Sequence, residues 1–161
     1  MRNRTLIFVA LVLASWGVMT VTHELGHLVA GWVIGAKLVD YDLAPWRLPY
    51  SIHQPDPHPR VTIWGGPIFG VLVPLLIAAV IPNRATRFIA NFCLIANGMY
   101  LAVSAFSSDP HLDTQRLLSA GERPWVIALY CLVTIGIGYF RFRKDCISIF
   151  RTPVVSKNAA D

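Results

Sequence analysis

The chain has 161 residues, 55% of them hydrophobic and 14% charged, with a formal net charge of +5 at pH 7. That balance is far from the usual soluble one and reads as an integral membrane protein, long enough for one domain of a few spans with no Gly/Ser- or Pro-rich linker to divide it. The three cysteines, Cys93, Cys131 and Cys146, are odd in number and widely spaced. They argue against a disulfide framework or a cysteine zinc site and are read as small buried hydrophobes.

The first apolar run covers 5–35. Its start, MRNR followed by LIFVALVLASWG, has the look of a signal peptide, but the run passes through HELGH to Ile34 without a small-residue cleavage site and is read as a retained span. Further runs cover 61–81, 87–106 and 125–140, the last close to the lower limit of roughly 17 residues for crossing a bilayer. Backbone groups in hydrocarbon must be satisfied within their own segment, so each run predicts a helix. The expectation is an all-α integral membrane protein: a single domain over 1–161 with four transmembrane helices and a basic polar tail over 141–161.

Between the first two helices the pattern changes. KLVDYDL alternates apolar and polar side chains, the period of a strand, and WRLPYSIH is its natural partner across Ala44 and Pro45. A short β-hairpin is therefore predicted, suited to accept an extended peptide as an added strand. The competing reading is an interfacial loop anchored by Trp46 and Tyr50. QPDPHP is read as a connector, and His53 and His58 as surface residues. In GGPIFG, residues 65–70, Gly66 and Gly70 stand four apart and favour close helix packing, with Pro67 as a bend.

The chemistry concentrates in VMTVTHELGHLVAGWVIGA. A charged side chain deep in a membrane helix costs about 2.5 to 3.5 kcal/mol on insertion scales, so such residues face the protein interior and do something there. His23 and His27 are one turn apart and share a face, a two-point clamp for a metal. Glu24, beside the first histidine, is placed to take a proton from water. Imidazole and carboxylate suit Zn2+, and a catalytic zinc needs three protein ligands and one open position.

The third ligand is left open by spacing. From Thr5 near one membrane face, Y, His23 lies about 27 Å along the helix at 1.5 Å per residue, close to the opposite face X. The segment after the third run returns to that level, which makes Asp109, His111 and Asp113 candidates. The Asp109-Pro110 pair should break the helix. Asp109 could equally be a cap, and His111 reads as a supporting or interface residue. Glu122 lies on the same side and would serve in a membrane zinc protease with a glutamate ligand.

HELGHLVAGWVIGAKL, GGPIFG and PHLDTQRLL, in that order, resemble the site-2 protease family of intramembrane zinc metalloproteases over residues 15–120. The resemblance implies zinc on His23, His27 and Asp113, with Glu24 as general base, and a substrate that is a transmembrane segment of another membrane protein. The chain departs from the family pattern in having Ala105 where the family has an asparagine and Thr114 where it has a glycine. A reading from another class is a non-catalytic metal-binding membrane protein, in which the ion is a structural clasp or a transported cargo.

The implied location is multi-pass in a membrane, the cell membrane. Nine Lys and Arg fall on the Y side and five on the X side, so the positive-inside rule puts Y in the cytoplasm. The family resemblance implies the reverse. The basic residues after Phe140 read as an anchor to lipid headgroups, with no nucleic-acid partner.

Overall fold

The computed structural model describes residues 2–44, 46, 47 and 49–151. In chain order it contains α1 (Arg2–Val33), β1 (Leu38–Asp42), β2 (Tyr50–His53), α2 (Pro59–Val80), α3 (Arg84–Ser104), α4 (Asp113–Ser119) and α5 (Pro124–Phe150). Four of these helices, α1, α2, α3 and α5, are long and apolar enough to cross a membrane. The fold is mostly helical with a small antiparallel hairpin between α1 and α2, as the sequence predicts.

Local chemistry sets the boundaries. Proline opens α2 and α5, where its missing N–H is one of the unpaired donors of a first turn. A capping box opens α3: Thr86 N–H donates to Asn83 Oδ1 at 2.9 Å, and Asn83 N–H donates to Thr86 Oγ1 at 3.2 Å. Gly35 and Gly121, at φ 77° and 81°, provide the left-handed turns that follow α1 and α4. In the hairpin, Asp40 faces Ile52, Tyr41 faces Ser51 and Asp42 faces Tyr50, with an irregularity between Leu38 and Asp40. The Tyr50 hydroxyl donates to Asp40 Oδ2 across the strands at 3.0 Å.

Lipid is as apolar as leucine, so these helices associate through close packing rather than hydrophobic burial. α1 meets α2 where Gly26 faces Gly65; a Cβ on Gly26 would lie 2.7 Å from the Gly65 carbonyl carbon and 2.6 Å from Phe69 Cβ. α3 meets α5 where Gly138 lies against the backbone of Ile95. The buried cluster of Ile63, Leu101, Leu117, Ile127 and Cys131 ties α4 to the spans. Cys93 and Cys131 are free and buried, and Cys146 is free and half-buried.

Two features differ from expectation. α5 does not stop near 140 but runs to Phe150, so Arg141, Arg143 and Lys144 sit on a helix; basic side chains lower hydropathy without opposing helix. Residues 152–161 of the predicted tail lie outside the described residues. The Arg4 guanidinium donates to the carbonyls of Phe150 and Arg151 at 3.1 and 2.9 Å, which brings the start of α1 and the end of α5 to one face. His58 is exposed as expected, but His53 packs against Gly31 and is half-buried, and burial lowers its pKa.

Candidate metal centre

α1 presents His23, Glu24 and His27 to the interior, at 4%, 6% and 2% exposure. The imidazoles stand 4.9 Å apart between centroids, near perpendicular at 76°. Asp113, the first residue of α4 and 3% exposed, meets both. Its Oδ2 lies 2.8 Å from His23 Nε2 and 3.3 Å from His27 Nε2.

The far side of each ring decides what the near side is. His27 Nδ1 is 2.9 Å from the backbone carbonyl of Thr62, in α2. A carbonyl oxygen only accepts, so Nδ1 donates and the Nε2 of the neutral ring carries a lone pair. His23 Nδ1 is 2.7 Å from Asn97 Oδ1, in α3. Asn97 Nδ2 donates to the Cys93 carbonyl at 2.8 Å, which turns the amide oxygen toward the imidazole. Two lone pairs and a carboxylate oxygen therefore point at one place, an arrangement that requires a cation or proton between them.

The donor set fits a metal. His23, Glu24 and His27 each offer a donor atom within 4.8 Å of the other two. Imidazole and carboxylate donors together could hold a metal ion, and Nδ1 hydrogen bonds to carbonyls are the usual means of orienting histidine ligands. Burial by itself raises the Asp113 carboxyl; were the imidazoles protonated instead, the charge on His27 and His23 would outweigh burial and hold it below the ordinary carboxylate range. The Arg116 guanidinium stands 3.7 Å from Asp113 Oδ1.

Glu24 is held differently from the imidazoles. Its Oε2 accepts from Ser51 Oγ at 3.2 Å, and Ser51 is the buried inward residue of β2. The hairpin thus positions the carboxylate. Gly66 in α2 faces the rings so closely that a Cβ there would clash with His27 and lie 2.8 Å from His23 Nε2. Tyr100 sets its ring edge-on to His23 at 5.4 Å.

Two openings reach the centre. A polar cavity of about 510 Å³ is lined by Glu24, His27, Tyr50, Ser51, Asp113 and Arg116, among others. A small apolar one of about 70 Å³ runs past Trp16, Met19 and Tyr100 to His23 and Glu24. The same three residues also line a groove of about 510 Å³ with Met99 and Val103 of α3.

Among the candidates for a third ligand, the structure brings Asp113 to the imidazoles and not the others. Asp109 is exposed, and its Oδ1 accepts from His111 N–H at 2.9 Å, closing a turn. His111 is exposed at the rim. Glu122 accepts from Trp64 Nε1 at 2.8 Å and from Arg123 N–H at 2.9 Å, and these bonds lower its pKa. Thr114 is buried; its hydroxyl donates to the Leu101 carbonyl at 2.7 Å and accepts from Ser104 at 2.8 Å, fastening α4 to the end of α3. Ala105 is the exposed C-cap of α3.

Sequence reasoning missed Asn97, Ser51 and the Thr62 carbonyl. Asn97 left a signal, an amide in the middle of an apolar helix. Ser51 and a backbone carbonyl left none. No family model, curated protein or solved structure matches this chain.

Proposed function

We propose that this protein is an intramembrane zinc endopeptidase of the site-2 protease kind, which hydrolyses a peptide bond in or near a transmembrane segment of another membrane protein. The observation that carries the reading is the convergence of His23 Nε2, His27 Nε2 and Asp113 Oδ2, with both Nδ1 atoms committed to carbonyl oxygens. A zinc ion held by these residues would supply Lewis acidity and a water of lowered pKa. Glu24, beside His23 and buried at the same centre, would be the group that accepts a proton from attacking water and returns it to the leaving amine. Ser51 keeps one Glu24 oxygen engaged and so fixes the carboxylate at the centre. The polar cavity admits water, and the apolar groove between α1 and α3 suits a lipid-embedded segment. The cell membrane is the location this reading favours.

The experiment pairs metal analysis with cleavage of single-span substrates. Purified wild type should carry about one zinc per chain, Asp113→Asn should lose it, and Glu24→Gln should keep zinc and lose cleavage by at least roughly 100-fold, the scale of an acid–base contribution. Wild type without zinc, or Glu24→Gln cleaving normally, rejects the proposal. The closeness of Glu24 to both imidazoles favours one second reading, a closed four-ligand clasp. In that case Glu24→Gln would lower zinc content instead.

A further inference from the structure

At the face opposite the metal centre, α3 and α5 enclose a cavity of about 470 Å³ between Arg84 and Arg87 on one side and Arg141 and Lys144 on the other. None of these four cations has an ion-pair partner among the described residues. The carboxylate in the cavity wall, Asp145, is already engaged: its Oδ2 accepts from Asn91 Nδ2 at 2.7 Å. Four cations and one carboxylate around one space leave an excess of three positive charges, which favours an anion there.

The position narrows the anion's source. Arg84 opens α3, and Arg141 lies 17 residues into α5, about 26 Å along the helix, which is near the end of a hydrocarbon layer of about 30 Å. The cations therefore stand at headgroup depth. Leu11 and Phe88 add apolar side chains to the lining, which suit the first methylenes of a lipid's acyl chains. Asn91 is 5% exposed, and its Oδ1 has no hydrogen-bond donor. A hydroxylated headgroup supplies one.

We infer that this cavity is a binding site for an anionic phospholipid with a hydroxyl-bearing headgroup, its phosphodiester held by the arginines of α3 and α5. Basic pockets between membrane helices are a known means of holding acidic headgroups. The lipid would clamp α3 to α5 at an end where they otherwise meet through Phe88, Phe92 and Phe142 and the Asn91–Asp145 bond.

The test uses the full chain in neutral detergent, with lipid retention read by native mass spectrometry and stability by thermal unfolding. Dioleoylphosphatidylglycerol should be retained and should raise the melting temperature; dioleoylphosphatidylcholine should do neither. The double variant Arg87→Gln/Arg141→Gln should weaken retention about 25-fold, about fivefold per cation. Arg143→Gln, which removes one positive charge at an exposed position outside the cavity, should change it less than twofold, against about fivefold for Arg141→Gln alone. Arg87→Lys/Arg141→Lys should restore retention in part, which separates lost binding from misfolding. Equal retention of the two lipids, wild-type retention by the double glutamine variant, or equal stabilisation by inorganic phosphate alone would overturn the inference.

Discussion

The centre leaves no room on its α2 side, and Gly66→Ala tests whether that crowding is part of its design. The added methyl would lie 2.8 Å from His23 Nε2 and closer still to His27, against an ordinary contact of at least about 3.4 Å. His23 must then retreat by about 0.6 Å and His27 by more, while ligand distances in metal sites tolerate only about 0.2 Å. Neither ring is free to move, since each is more than nine-tenths buried and pinned through Nδ1. Zinc affinity should fall at least roughly 100-fold, the upper end of the range seen when supporting partners are removed. The helix itself should gain from the change, because alanine exceeds glycine in propensity by about 1 kcal/mol. Zinc is measured by competition with a chromogenic chelator, and helicity by circular dichroism. Gly17→Ala, in the same helix as the histidines with open space at its Cβ, is the control and should bind zinc normally. A Gly66→Ala protein with wild-type zinc affinity would refute the geometry from which the site is built.

Replacing Asn97 by leucine strands the His23 Nδ1 proton in a buried site and should weaken zinc binding about 10- to 100-fold with the spans intact; the same competition assay reads it, and an unchanged affinity would show that His23 needs no orienting partner. Gly26→Ala drives a methyl into the backbone of Gly65, which cannot yield as a side chain can, and should cost about 1 to 3 kcal/mol in thermal unfolding, whereas a raised melting temperature would contradict the α1–α2 contact. Glu122 has its pKa lowered by the Trp64 indole and the Arg123 amide. Its contribution to stability is therefore full above its ordinary value near ~4.3 and is lost as pH falls through the lower folded value. The stability difference between wild type and Glu122→Gln should shrink over that acid range, and a difference that grows on acidification would reverse the assignment.

How far the sequence reveals this molecule depends on the distance over which each feature is decided. Hydropathy marks the four spans because every residue of a membrane helix answers to the same solvent. His23 and His27 are legible as a pair because one helical turn fixes their common face, whatever the rest of the chain does. Asp113 is not legible in that way: it competes with Asp109, His111 and Glu122, all on the same face of the membrane. What separates them is the path of the loop after α3 and the short helix α4, which Thr114 fastens to Leu101 and Ser104. That segment has no long periodicity to announce it.

The glycines carry the same lesson. Their spacing in GGPIFG suggests one packing face, yet Gly65 meets the backbone of α1, Gly66 the imidazoles and Gly70 the amide of Asn97. Three small residues serve three neighbours because α2 packs against both the histidine helix and α3, which also meet each other, and each must come close for a different reason. Gly65 lets the helices touch, Gly66 leaves the imidazoles room to converge, and Gly70 admits the side chain that orients His23. The absence of side chains on α2 is thus as much a part of the centre as the donors on α1. A sequence displays donors by their identity, but an empty position shows its purpose only beside the neighbour that occupies it.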